Sequence, residues 1–517
     1  MTSTEPTVKA GPREWWGLAV LALPTLLISV DVSILHLAVP HIAADLNATT
    51  TETLWIIDSY GFLLAAFLVT MGVLGDRIGR RKLLFIGGAC FGLASMAAAF
   101  APTAEALIAA RALLGVSAAT LMPSTLSLIM SMFHDELERG KAVAIWVTMF
   151  SGGIALGPVV GGFLLTKFWW GSVFLLALPV VAILLIAGPR LLPEYKNDQA
   201  ARLDLTSVVL FVAGIISFVY GVKSIDAGGV TIPQVAAFAI AAVSAVAFVS
   251  RQRRSAEPML DLSLLRNRTI AGCLAVMMLA MVVAGGTYLY VTQYLQLVGD
   301  RSAFTAGLWL LPAAGLLTIT AGAAPGLAQR YRPAAVIAGG LTISLLGSVI
   351  LAISGGAAGS ITGVVIGFTL AYGGGGPIIA LGTDLVMGSA PPENAGAASS
   401  LSETSTELGM ALGVAVLGSI GAFAYRAGLP SDLGPSKAVA ESGLANLMAA
   451  ESNSSPLVES AQAAFTDGLN VVAAIGVGLT LLLIATVLAL VKTPPLGAAE
   501  QSEPEGSQPE VAQQVPA

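Results

Sequence analysis

Charge is what this sequence has least of. Only 11% of its 517 residues are Asp, Glu, Lys or Arg, against roughly 25% in a soluble domain, so a water-facing globule of this size has no means of covering its surface. Histidine is nearly missing: His36 and His41 flank Pro40, His134 lies in a polar link, and none has partners at metal-ligand spacing. The two cysteines, Cys90 and Cys273, are too few for a disulfide framework; both lie in apolar blocks and read as small buried hydrophobes. No Gly-x-x-x-x-Gly-Lys-[Ser/Thr] loop is present to cradle a nucleotide, and no nucleophile–base pair or paired histidines point to a membrane-embedded enzyme. A net charge of −6, with basic residues in short clusters, argues against nucleic acid as a partner. Neither metal nor organic cofactor is expected.

What the chain has instead is apolar length. Hydrophobic residues make up 56%, gathered in blocks near the ~20 residues needed to cross a bilayer. Fourteen candidate spans follow, from Trp15–Val39 through Leu54–Leu74, Ala104–Met130, Ala142–Leu165, Thr206–Lys223, Ile232–Ser250, Phe304–Ala328, Ile361–Met387 and Ala398–Ala424 to Gly468–Val491. Their apolarity is continuous, which means helices; barrel strands alternate. The expected fold is all-α, with two six-helix bundles (15–203 and 270–491) joined by two linking spans (204–250) and a basic loop (251–269). Residues 1–14 precede the first span, 426–467 form an external loop with short amphipathic helices, and the Pro- and Glu-rich 492–517 read as a disordered tail. Of the 25 Lys and Arg, all but Arg111, Lys167, Lys223, Arg301, Arg426 and Lys437 fall on one side of this layout. The positive-inside rule makes that side, with both termini, cytoplasmic. Lys223 is placed at the outer edge.

Ionisable groups inside a bilayer are functional candidates by default. Asp31 lies in the first span, Asp58 early in the second, Arg111 in the fourth, and Glu403 and Glu407 in the thirteenth. Four residues apart, the two glutamates share a helix face. An acid in such a place can load and unload a proton, and a lipophilic cation entering the same cavity displaces that proton, which is the simplest form of exchange. Arg111 reads as the partner of a first-helix group. Asp384 reads as interfacial, and His36 as a candidate for the outer cavity.

Glycines carry two further patterns. Gly153, Gly157 and Gly161, with Pro158 and Gly162 beside them, make a smooth face at four-residue spacing where another helix can approach closely. Gly72, Asp76, Arg77, Gly79, Arg80 and Arg81 fall in a tight turn between the second and third spans; glycine permits the turn, and the acid can pair with a basic neighbour.

These residues carry a resemblance to the major facilitator superfamily, and within it to the fourteen-helix drug:proton antiporters that export quaternary ammonium compounds and methyl viologen. Gly72–Leu83 resembles the signature turn, Arg111 with Gly115 the fourth-helix motif associated with proton coupling, and Gly153–Gly162 the fifth-helix motif of antiporters. Asp31-Val-Ser-Ile-Leu-His36 is similar to the first-helix motif, which usually reads Asp-x-Thr-Ile-Val-Asn; Ser400–Gly409 strengthens the match. No acid lies between Phe304 and Ala328, which argues against strong handling of divalent cations. The resemblance implies that Asp31, Asp58, Glu403 and Glu407 bind cationic drugs or protons and that the Asp76–Arg81 turn serves a conformational switch. It implies a monomer in the cell (inner) membrane, driven by the proton gradient, that exports hydrophobic cations by alternating access. A dedicated exporter of an endogenous secondary metabolite and a proton-coupled importer are the alternatives.

Overall fold

The computed structural model describes residues 9–194, 204–224, 231–255, 262, 264–354, 361–390, 395–430, 436–451 and 455–491. The tail from 492 and parts of both linking loops lie outside the described residues. The chain forms α1 (Pro12–Leu46), α2 (Thr50–Ile78), α3 (Arg80–Ala99), α4 (Ala104–Met132), α5 (Glu136–Lys167), α6 (Ser172–Leu175), α7 (Ala177–Leu191), α8 (Leu205–Lys223) and α9 (Ile232–Arg254). It continues with α10 (Arg268–Leu297), α11 (Ala303–Arg330), α12 (Pro333–Ser354), α13 (Ile361–Gly373), α14 (Gly376–Gly388), α15 (Ala395–Gly428), α16 (Lys437–Ser442), α17 (Leu444–Ala450) and α18 (Pro456–Leu490). Among the described residues there is no strand, and 14 spans are long and apolar enough to cross a membrane.

The helix ends follow local chemistry. Side chains of Thr49, Thr103, Asp135, Asp204, Asn267, Ser302 and Ser455 accept from the first free amides of α2, α4, α5, α8, α10, α11 and α18, closing donors that would otherwise be orphaned. Gly79 joins α2 to α3 at φ 108°, a backbone region open to glycine and closed to most side chains. Three boundaries differ from expectation. α1 continues through Pro40 to Leu46. The sixth span divides into α6 and α7. α15 runs on to Gly428 and α18 starts at Pro456, so the expected external loop 426–467 narrows to the stretch that carries α16 and α17, the short helices expected there. At ~1.5 Å per residue, the 35 residues of α18 exceed a ~30 Å hydrocarbon core, so hydropathy alone marks only its apolar part.

α1 packs on α5, α2 on α4, and α3 on α4 and α7; in the second half α10 packs on α15, α12 on α13 and α18, and α11 on α13 and α14. The linking helices α8 and α9 pack on each other, and α8 also touches α2 and α15. Two ends can be told apart: a basic end, with Arg77, Arg80, Arg81, Arg139, Lys141, Arg251 and Arg330, and an opposite end with the α1–α2 turn and α16–α17. The halves meet through α5–α11, α2–α15 and α1–α10, and those meetings lie toward the opposite end. There a Cβ on Gly162 would fall 2.5 Å from Phe304 Cα, one on Gly418 2.7 Å from Leu54, and one on Gly61 3.1 Å from Ala411. One buried cluster runs from α1–α7 into α10, α11, α15, α17 and α18. Toward the basic end the halves part: Ile145, Val147, Thr148 and Ser151 of α5, and Gly315, Thr318, Ile319 and Gly322 of α11, are exposed. The space between the bundles is therefore open at the basic end and closed at the other.

The outer faces are apolar and uncovered, as with Ile186 at 67% and Ile353 at 75% exposure, where lipid replaces protein as the neighbour. This corrects one expectation. Cys273 is buried, but Cys90 is exposed, because α3 turns that face outward and a thiol is as acceptable to lipid as to a core.

Candidate transport site

The site begins with the glycine face of α5. A Cβ on Gly153 would collide with the Ser29 hydroxyl, and one on Gly157 with that of Ser33; a Cβ on Gly161 would lie 2.7 Å from Ile34. Ser33 Oγ lies 3.4 Å from the Gly153 carbonyl. These contacts flank Asp31 on α1, so the small residues of α5 set how deeply the helix bearing Asp31 seats in the bundle. Pro158 and Gly162 serve another surface: Gly307 abuts the Pro158 carbonyl, and Gly162 abuts Phe304 of the second half.

Asp31 does not stand alone. Its Oδ2 receives Arg111 Nη1 at 2.6 Å, as expected for a fourth-span base reaching a first-span acid. Arg111 is 1% exposed. It also donates to the Ile56 carbonyl at 3.3 Å and lies 4.3 Å from the Tyr60 ring centroid. A guanidinium suits such a place because its planar fork makes several bonds at once and stacks on an aromatic face. One turn further along α4, Gly115 lies against the Tyr60 backbone and brings that ring over Arg111. His36, a turn and a half beyond Asp31, is buried, meets Tyr288 edge-on at 4.7 Å, and leaves Nδ1 without a hydrogen bond. It belongs to the closed α1–α10 contact rather than to an open outer cavity.

Asp58 is buried as well, and its partner comes from an unexpected quarter. Lys223 Nζ, at the last residue of α8, lies 2.7 Å from Asp58 Oδ2; the side chains are 1% and 0% exposed. The ammonium also sits 4.2 Å above the Trp55 ring. Lys223 ends α8 on the side away from the basic end, and there it is buried against an acid of α2 rather than reaching outward.

Glu403 and Glu407 on α15 differ from both pairs. They are partly exposed, and among the described residues no hydrogen bond or ion pair reaches either one. Gly61, next to Tyr60, packs on Ala411, one turn beyond Glu407 on α15, and Tyr60 lies over Arg111, so the second-half acid and the first-half pair border one region. Asp384 on α14 is exposed, apart from this group.

At the basic end, Asp76 bonds Arg80 Nε at 2.7 Å. The Arg81 amide donates to Glu194 at 3.1 Å and its guanidinium to the Leu192 carbonyl at 3.1 Å; Arg77 is exposed and Gly72 has open space around it. Arg251 reaches Asp204 at 2.7 Å, and that guanidinium, helped by Ser207, holds the Asp204 carboxyl at about 2. No three His, Cys, Asp or Glu side chains converge as metal ligands among the described residues. Sequence reading passed over Lys223, Trp55, Tyr60 and Glu194. For Lys223 the available signal was a lone base ending an apolar span while a lone acid lay in another.

The family model described as Major Facilitator Superfamily matches residues 21–414. The chain is 42% identical over 94% of its length to the multidrug efflux pump LfrA of Mycolicibacterium smegmatis, covering 97% of that protein. It is 34% identical over 78% of its length to the methyl viologen resistance protein SmvA of Salmonella typhimurium (82% of that protein). It is 32% identical over 78% to the tetracenomycin C resistance and export protein of Streptomyces glaucescens (76% of that protein). Among solved structures, the inward-facing bacterial homolog of the human lysosomal transporter Spinster aligns with a TM-score of 0.65 at 16% identity, over 94% of this chain and all of that one. That likeness bears on the fold.

Proposed function

The chain belongs to the Major Facilitator Superfamily, a transporter and not an enzyme, and from that premise we propose that it exports hydrophobic, mainly cationic compounds in exchange for protons. Export is supported by relatives named for efflux and resistance. The observation that carries the cationic reading is the contrast of charges around the gap between the bundles. Asp31 is neutralised by Arg111, while among the described residues no cation pairs with the carboxyls of Glu403 and Glu407. A lipophilic cation entering from the open basic end finds two acids four residues apart, in a setting where a charge has few competitors from water.

In this reading the basic end faces the cytoplasm of a cell membrane, with both termini there, as the positive-inside bias supports. The protein acts as a monomer, and residues 15–203 and 270–491 rock about the gap, with 204–250 as linking helices. Drug leaves outward as protons take its place on Glu403, Glu407 and Asp31; proton loss inward restores affinity for the cation. Arg111 holds Asp31 charged when no proton is bound, and Asp58 takes part through its own pair with Lys223. Gly72, Asp76, Arg77, Gly79, Arg80 and Arg81 form the turn that switches between states, and Gly153, Gly157, Pro158, Gly161 and Gly162 keep the two sliding surfaces close. No organic cofactor enters; one proton charge crossing 100 mV supplies roughly 2.3 kcal/mol.

The test is ethidium movement into inside-out vesicles under an imposed pH gradient. Accumulation that an uncoupler abolishes supports the proposal. Folded, inserted protein that moves no dye under the same gradient overturns the broad cationic reading and favours a narrow exporter of a single metabolite, a role suggested by the Streptomyces relative's name.

A further inference from the structure

The linking helix α8 crosses the line where the halves meet. Ile215 and Val219 on α8 pack in one cluster with Trp55 and Phe62 of α2 and with Ala411 and Ala415 of α15. α2 and α15 are the helices that touch across the bundles toward the opposite end, so α8 lies over their seam. At its basic end α8 is tied to α9 through Asp204 and Arg251. At its other end the Gly221 carbonyl accepts from Gln234 of α9 at 3.3 Å, and Lys223 is paired with Asp58 of α2 at 2.7 Å, closed to solvent. Among the described residues no third side chain bonds Lys223 Nζ or the Asp58 carboxyl, so each charge depends on the other. Breaking a buried pair by removing one member strands a charge where water cannot reach it, whereas removing both charges leaves an apolar contact that costs little.

We infer that Lys223 is a positioning residue for transport: through Asp58 it latches α8 onto α2 and holds the α2–α15 seam shut while the basic end is open. The latch gives the linking helix a part in the cycle beyond spacing two bundles. The seam must open for the outward-facing state, and the pair must then either travel together with α2 or separate. The inference rests on the alternating-access reading only in requiring that the seam open; it does not depend on which compound is carried.

The test measures the seam directly, without substrate or gradient. Spin labels at Thr51→Cys on α2 and Ala427→Cys on α15, in a Cys90→Ser, Cys273→Ser background, report their separation by pulsed dipolar spectroscopy. Lys223→Gln and Asp58→Asn should each move the population toward the separated seam by about tenfold. Lys223→Arg should leave it closed. The double variant Asp58→Asn/Lys223→Gln, which strands no charge, should return it toward closed. Unchanged distances in both single variants overturn the latch, as does a double variant as open as either single one. If the single variants fail to fold, Trp55→Leu weakens the seat of the ammonium without stranding a charge. It should shift the distances the same way by about threefold, and no shift there overturns the inference. Failed ethidium transport with an intact latch response would count against the cationic reading alone.

Discussion

The two halves of the molecule hold their membrane acids in opposite ways. In the first half Asp31 is locked to Arg111, which is itself held by a backbone carbonyl and an aromatic face. In the second half Glu403 and Glu407 are partly exposed, and among the described residues no base pairs with either. A neutralised acid is a poor first contact for a cation, since the arrival must displace a guanidinium; two free acids a turn apart have no such rival. The difference suggests a division of labour, in which the second half meets the cargo and the first half senses the proton by opening or closing its pair.

The sharpest way to break this comparison is at Asp31. Asp31→Asn leaves Arg111 stranded, so proton-coupled efflux should fall by at least ~100-fold while the protein still inserts. Asp31→Asn/Arg111→Gln should recover stability in a thermal-shift assay but not coupled transport. Recovery of both would mean that the pair is structural and that only the second half matters.

A smaller loss is expected where the pair is merely displaced. Gly157→Leu pushes against Ser33 and so lifts α1; overpacking of this kind costs about 1–3 kcal/mol. Transport should fall roughly tenfold with a lowered unfolding temperature, whereas Gly339→Leu, in open space on α12, should change neither.

The second half is tested by selectivity. Glu407→Gln removes one free charge, so efflux of a monovalent organic cation should fall about tenfold while a neutral compound of similar size changes less than about twofold. Equal loss for both would move Glu407 from cargo binding to proton transfer and erase the proposed division.

The least effect is expected at the periphery. Asp204 has its carboxyl held at about 2 by Arg251, below the ordinary value of about 3.9. A depressed acid stabilises above its unfolded value and loses that contribution as pH falls through the folded one. Protection from hydrogen exchange at the α8–α9 ends, taken relative to the intrinsic rate at each pH, should therefore be constant above about pH 4 and fall toward pH 2. Asp204→Asn should remove that dependence at a local cost of about 0.5–1 kcal/mol.

The spans were legible because a bilayer enforces long apolar blocks, and the acids because each is conspicuous within one. The Asp31–Arg111 pair was legible for the same reason: a base and an acid, each isolated in its own span, have few other partners. Lys223 was not, because it ends its helix, where a lysine ordinarily reaches for the interface; only the packing of α8 against α2 reveals Asp58 beside it. The outward face of Cys90 was hidden for a different reason. When one side of a helix meets lipid and the other meets protein, both are apolar, and no periodicity distinguishes them. Tyr60 gave no cue among the aromatic residues; it matters because Gly115 lets its backbone approach α4.

The short helices α16 and α17 deserve a last consequence. Asn446 donates to the Ala48 carbonyl and Thr50 to that of Ser442, so a strap belonging to the second half is stitched to a turn of the first. Together with the α5–α11, α1–α10 and α2–α15 contacts, it makes four separate fastenings at one mouth. In the proposed export cycle such a machine would idle facing its supply, waiting open with nothing loaded while its exit stays shut to returning protons. Idle turnover, and with it wasted gradient, would then be limited by how seldom all four fastenings release in the same interval.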